Sequence, residues 1–236
     1  MYDTILNIDF DVFEFLYNFL RPGEAASKLR SYINHFFMVA NVLGEFFILV
    51  PLIAVVWFST RKRSVFWFRL TFMISALLIS TLIFAIPKNL VKRDRPYKEY
   101  IKKDGKLPSW FNEFLHIQTD INEPERGIVK LRGFPSGHTN FAFALAGIII
   151  VIYGFKTGIF FLFWAFLTGI GRIYGGLHFP SDVLGGIATG LLGVYCTVLL
   201  FRLISVYWTK FRTMLMSLSI NSDKSMSESV NNSKTP

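Results

Sequence analysis

Apolar residues in this chain run together instead of alternating with polar ones, and the charged positions collect at the ends of the runs. Five runs approach what a hydrocarbon core of about 30 Å demands, roughly 20 helical residues. They are Ile33 to Phe58, Phe66 to Ile86, Ser136 to Tyr153, Gly158 to Ile173 and Asp182 to Trp208. The third and fourth are short enough to need their polar ends inside the headgroup zone. The pattern predicts an all-α integral membrane bundle of about five transmembrane helices over residues 33–216, with 87–135 as a long polar loop. Ahead of it, within an N-terminal segment 1–32, Ile5 to Leu20 is apolar but carries Asp9, Asp11 and Glu14, which fits an amphipathic helix lying in the interface. Acids stand where a signal peptide carries basic residues, so a cleaved leader is not expected. Bulky apolar residues almost vanish after Ile220, and the Ser-, Asn- and Lys-rich stretch 217–236 is expected to be a disordered tail. No internal repeat stands out.

Composition strengthens the membrane reading. With 52% hydrophobic residues, 26 Phe and a mean hydropathy of +0.42, the chain is more apolar than a soluble domain of its length. The net charge of +9 is not that of a nucleic-acid binder, because the basic residues flank apolar runs and form no separate stripe or binding motif. Membrane lipids with anionic headgroups are the expected partner, and no nucleic acid. The one cysteine, Cys196, lies inside an apolar run and excludes an intramolecular disulfide. Nothing in the sequence fixes an oligomeric state.

Five crossings put the N-terminus, residues 87–135 and residues 174–181 on one side, and residues 59–65, residues 154–157 and the C-terminus on the other. The second side carries Arg61, Lys62, Arg63, Lys156, Lys210 and Arg212 in short segments, which favours the cytoplasm. The first side then faces the periplasm or the exterior, and three polar clusters meet on it.

Lys88 and Arg95 lie seven positions apart, about two helical turns, just after an apolar run, so both can project from one face toward the headgroups. Pro96 disfavours helix at Arg95. At Pro135-Ser136-Gly137-His138, Pro and Ser suit a helix start, and Gly lets an anion approach the free backbone amides. His138 at that mouth can protonate a departing alkoxide, since imidazole titrates near neutrality. In the third cluster Asp182 follows His178 by four residues, with Pro180 opening a helix between them, so the carboxylate can hold one ring nitrogen while the other acts as base or nucleophile. Arg172 can meet two phosphate oxygens with its planar fork. Each cluster by itself is as well explained by interfacial anchoring, helix capping or a structural His-Asp pair.

The order and spacing of Lys88 to Arg95-Pro96, Pro135 to His138, and Arg172, His178 and Asp182 resemble the three-part signature of the type 2 phosphatidic acid phosphatase family, which also includes vanadium haloperoxidases. The resemblance covers roughly Lys88 to Asp182. The family pattern usually has Ser where this chain has Gly171, which removes one hydroxyl contact to phosphate. What the resemblance implies is a membrane lipid phosphatase whose catalytic residues are His178, His138 and Asp182. A phosphohistidine forms on His178, oriented by Asp182, while His138 protonates the leaving oxygen and then activates water. Lys88, Arg95, Arg172, Ser136 and Gly137 bind the phosphate, and neither metal nor cofactor is required. The substrate would be a lipid phosphate or diphosphate, with polyprenyl diphosphate or glycerolipid phosphate favoured and lipid A phosphate as a further candidate. Rivals are a haloperoxidase, although those relatives are soluble, and a non-catalytic lipid-binding or transport protein, whose mark would be loss of His138, His178 or Asp182.

Other ionisable residues have bland readings. Glu45, near the middle of the first run, is expected to be protonated or paired inside the bundle. Arg69 is close enough to a span end to snorkel. His35 and His116 match no motif. Tyr97, Trp110, Phe111 and Phe114 make the loop after Pro96 amphipathic, as a lipid-entry gate lying on the membrane would be.

Overall fold

In a computed structural model of the chain, the described residues are 2–20, 27–42, 48–60, 62–98 and 132–232. Their regular structure is helical throughout: α1 (Tyr2–Leu20), α2 (Ser27–Val42), α3 (Leu49–Phe58), α4 (Arg63–Leu90), α5 (Gly137–Tyr153), α6 (Phe155–Tyr174) and α7 (Pro180–Asn232). Among the described residues three segments are long and apolar enough to cross a membrane, Arg63–Leu90, Phe155–Tyr174 and Pro180–Lys210, and α3 and α5 are shorter apolar helices beside them. The protein is an all-α membrane bundle. Two compact units divide the chain, Met1–Tyr195 and Cys196–Pro236, and every contact described below lies within the first.

Helix α5 is the central element. From Thr139 to Ile149 every residue is buried, as expected of a helix apolar on all sides. Small residues let its neighbours close in. A Cβ on Gly186 would come within 2.6 Å of the Ser136 carbonyl oxygen, and one on Gly190 within 2.5 Å of that of Asn140. These two glycines on α7 form the small-xxx-small stripe by which membrane helices approach closely. Gly193, one turn on, meets Ser80 of α4 in the same way. Ser80 in turn donates to Asn140 Oδ1 at 3.1 Å, satisfying a polar pair in the interior. Against α6, Ala142, Phe143 and Ala146 pack on Ala165. The outer faces stay apolar and exposed, with Ile74, Leu78, Leu82 and Ile86 on α4 and Ile159, Phe160, Phe163 and Phe166 on α6. Stripes of this kind belong against lipid.

Within the run Ile33 to Phe58, α2 is described as far as Val42 and α3 from Leu49. Residues 43–47, and with them Glu45, lie outside the described residues. The segment 217–236, expected to be disordered, is helical as far as Asn232. No Gly or Pro interrupts the chain between Val194 and Thr235, so helix propagates from an existing nucleus without a new one.

A further correction concerns α1. An interfacial amphipathic helix would turn its acids to water, but Asp9 is buried together with Phe10 and Phe13, and these two rings join Phe179, Ile173 and Val183 in one core cluster. Ile8, Val12, Phe15 and Phe19 are left as the exposed stripe. Helix α1 therefore presents apolar residues outward and an acid inward, because the acid has a buried cation to meet.

Candidate active site

Four helix ends converge: the C-termini of α4 and α6 and the N-termini of α5 and α7. Lys88 is in the last turn of α4, and its Nζ donates to the carbonyl oxygens of Arg132 at 2.8 Å and Pro135 at 3.0 Å, with that of Gly133 at 3.4 Å. Arg132 answers by donating to the carbonyls of Lys88 and Asn89, both at 3.0 Å, which caps α4 with a cation where its dipole is negative. The ammonium of Lys88 thus shapes the turn before α5 while adding its charge to the site. Gly133 is required there, since a Cβ would lie 2.9 Å from the Asp94 carbonyl oxygen and 3.2 Å from Asp182 Oδ2.

Ser136 caps α5. Its fully buried Oγ accepts from Thr139 Oγ1 at 2.9 Å and from the Thr139 amide at 3.4 Å, while its own amide donates to the Asp182 carbonyl at 2.8 Å. That last bond ties the second cluster to the third. Gly137 opens the helix, where backbone amides lack intrahelical acceptors, and a Cβ on it would approach Phe84 Cζ to 3.4 Å. His138 follows, half-buried at the mouth.

Arg172, buried in the last turn of α6, holds the turn to α7 with its carbonyl, which accepts the amides of Leu177 at 3.1 Å and His178 at 3.2 Å. His178 is 1% exposed and Asp182 fully buried. Asp182 Oδ2 accepts the Phe179 amide at 2.9 Å, in the manner of a carboxylate capping the first turn of α7, and faces His178 Nδ1 at 3.4 Å. With Nδ1 as the donor in that contact, Nε2 keeps its lone pair. Burial, then the positive potentials of Arg95, Arg172, Lys88 and His138, hold His178 well below the usual imidazole range. The ring is neutral at physiological pH, and its contact with Asp182 is between N–H and carboxylate, not an ion pair. Those four groups come from all three clusters, so the charges of all three act on one imidazole.

Arg95 lies in the extended stretch after α4, and its buried Nε has no hydrogen-bond partner among the described residues. A buried guanidinium donor left in this state suits an anionic oxygen. Among the described residues no three His, Cys, Asp or Glu side chains gather as metal ligands would.

Tyr97 is not on the membrane surface. It is buried with Phe37, Tyr174 and Leu177, and burial pushes its phenol up to about 12, so it stays neutral. Trp110, Phe111, Phe114 and His116 lie outside the described residues. Sequence reasoning missed Arg93, Asp9 and Ser181, which stand behind Asp182. Arg93 falls in the unassigned interior of the first cluster, and the available signal was the acid of α1 inside an apolar run.

The sequence pattern of the PAP2 superfamily matches residues 65–207. A bacitracin transport permease protein of Bacillus licheniformis is 38% identical over 76 residues, 32% of this chain and 32% of that one. A putative undecaprenyl-diphosphatase of Escherichia coli K12 is 29% identical over 148 residues, 61% of this chain and 62% of that one. The chain thus spans less than two thirds of the length of either relative. Among solved structures, the transmembrane PAP2-type phosphatidylglycerolphosphate phosphatase of Bacillus subtilis shares the fold with a TM-score of 0.55 and 22% identity, over 85% of this chain and 88% of that one.

Proposed function

The chain belongs to the PAP2 superfamily, and from that premise we propose that it is an integral membrane lipid phosphatase, releasing the terminal phosphate of a lipid phosphate or diphosphate. The observation that carries this reading is the buried His178, with Nδ1 facing Asp182 and the positive potentials of all three clusters acting on it.

In the proposed reaction His178 Nε2 attacks phosphorus. The N–P bond forms as the bond from phosphorus to the lipid oxygen breaks, and that oxygen takes the proton of His138. The lipid leaves as an alcohol, or as a monophosphate when the substrate is a diphosphate. His138, now neutral, takes a proton from water. The resulting hydroxide attacks phosphorus, the N–P bond breaks, inorganic phosphate departs and both imidazoles return to their starting states. Arg95, Arg172 and the Gly137 amide meet the equatorial oxygens, where electrostatic stabilisation of phosphoryl transfer is concentrated. Lys88 contributes its charge, and the Ser136 hydroxyl the one proton its capping role leaves it.

Polyprenyl diphosphate and glycerolipid phosphate stand ahead of lipid A phosphate as substrates. Among similar proteins an undecaprenyl-diphosphatase and a phosphatidylglycerolphosphate phosphatase support those two classes, and a lipid A 4'-phosphatase of Bacteroides thetaiotaomicron keeps the third as a candidate. The transport name of the Bacillus licheniformis relative favours a second reading, a lipid carrier without turnover. Against it, His138, His178 and Asp182 are all present. Phosphate release from a panel of these lipids in detergent, with and without EDTA, decides between them. Release that survives chelation supports the phosphatase, binding without release supports the carrier, and release that needs added Mg2+ rejects the metal-free chemistry.

The site faces the periplasm or exterior in this proposal. With Cys196→Ser as background, Lys92→Cys should react with a membrane-impermeant thiol reagent in intact cells while Ser64→Cys should not. The reverse pattern turns the protein over.

A further inference from the structure

Behind Asp182 stands a second charged layer that the proposed reaction does not use. Arg93, buried two residues before Arg95, contacts Asp9 of α1 through Nη2, while its Nη1 donates to Ser181 Oγ at 2.5 Å and reaches Asp182 Oδ1 at 3.4 Å. The guanidinium lies over the Phe179 ring, 4.2 Å from Cζ to centroid. Asp9 Oδ1 accepts the Ser181 amide at 3.1 Å, and its Oδ2 accepts the Ser181 hydroxyl at 2.5 Å. Phe10 and Phe13 complete the attachment of α1 by packing on Phe179.

A buried arginine between two buried carboxylates is a poor way to gain stability alone, because desolvation offsets most of the attraction. The geometry is asymmetric: Asp9 holds the direct pair, and Asp182 is met only at 3.4 Å. Without Asp9, the nearest carboxylate for Arg93 would be Asp182, and a full pair there would cancel the negative charge that His178 needs as it becomes cationic on attack.

We propose that Asp9 is a positioning residue for the active site: by holding Arg93 away from full pairing with Asp182, it leaves that carboxylate to His178 and makes the N-terminal helix part of the catalytic support. The inference rests on the reading of His178 and Asp182 as the reacting pair.

The test uses the full chain in detergent, with histidine-labelled protein for NMR. The chain has four histidines, so His178 is assigned by its loss in His178→Gln. The groups facing His178, namely Arg95, Arg172, Lys88, His138 and Asp182, are untouched by the variants. In Asp9→Asn, Arg93 moves onto Asp182, so the His178 titration midpoint falls, and kcat drops about tenfold with KM within about twofold. In Asp9→Asn/Arg93→Met both buried charges are gone, so Asp182 acts on His178 unshielded, the midpoint rises to or above that of wild type, and kcat recovers relative to Asp9→Asn. An unchanged midpoint in both variants, or a double variant worse than the single one, overturns the proposal. Should Asp9→Asn fail to fold, the double variant decides by itself, since a midpoint at or above wild type supports the proposal and a lower one overturns it. The midpoint is read without turnover. Failure of wild type to release phosphate from any lipid would instead count against the phosphatase reading.

Discussion

At the end of the bundle away from the site, Arg69 donates to Thr60 Oγ1 at 3.0 Å and its guanidinium lies 5.0 Å over the Tyr153 ring, while Ser59 shares a 2.8 Å hydrogen bond with the Tyr153 hydroxyl. At the other end, Arg95 is buried with Nε lacking any partner among the described residues, beside an imidazole that its charge helps to keep neutral. Both arginines lie near the ends of apolar runs, and hydropathy alone does not separate them. The difference lies in satisfaction. A half-buried cation bonded across helix ends holds them together, and one buried beside the reacting ring with an open donor leaves room for an anion.

The strongest way to break this contrast is at the imidazole. His178→Ala deletes the nucleophile from the turn between α6 and α7 and not from a helix, so the protein should fold and insert while turnover falls on the order of 10⁶-fold, to the assay limit. Comparable phosphate release by purified mutant and wild type would end the assignment. Asp182→Asn comes next. Placing the amide oxygen at Oδ2 keeps the Phe179 contact but turns NH2 toward Arg93 Nη1, donor against donor, while the flipped amide loses both Phe179 and His178 Nδ1. In either orientation kcat should fall on the order of 10²- to 10⁴-fold. A change confined to KM would argue against the role.

How far the site was legible from sequence follows from the range of the forces involved. Ser136 as cap and Pro180 as helix opener are local effects, and both stand in the structure as the residue types predict. The apolar runs Phe66 to Ile86 and Gly158 to Ile173 fall inside α4 and α6, because length and hydropathy decide spans. The engagement of Lys88 with the carbonyls of 132, 133 and 135 depends on a turn 44 or more residues away and leaves no periodic trace. Asp9 meeting Arg93 is further still from local pattern. Its acid looked water-facing because an isolated amphipathic helix has no other place for a charge.

A smaller effect sharpens the contrast at Arg95 itself. Arg95→Lys keeps one positive charge but loses the planar fork, so kcat/KM for a lipid phosphate should fall about 10- to 100-fold while the fold is kept. An unchanged kcat/KM would mean that the open Nε donor meets no substrate oxygen. The depressed imidazole adds a pH signature. His178 reacts when deprotonated, and its proton is lost well below the ordinary imidazole value of 6.5. The acid limb of kcat/KM, corrected for ionisation of the substrate phosphate, should therefore lie below pH 6.5, with activity falling only as pH drops further. A limb at or above that value would mean that the surrounding cations do not act on the reacting ring.

The smallest effect on turnover belongs to Arg69. Arg69→Met keeps most of the aliphatic stem but removes the hydrogen bond to Thr60 and the cation over Tyr153. Thr60 Oγ1 still donates to the Val56 carbonyl at 2.7 Å, so no buried donor is orphaned. The loss should be on the order of 1 kcal/mol, a few degrees in Tm for a chain of this size, with kcat and KM within about twofold of wild type. Thermal unfolding in detergent and phosphate release on the same preparation measure the two quantities together. If Arg69→Met costs as much turnover as Arg95→Lys, bonding across helix ends does not mark an arginine as structural, and the two ends of the bundle differ for some other reason.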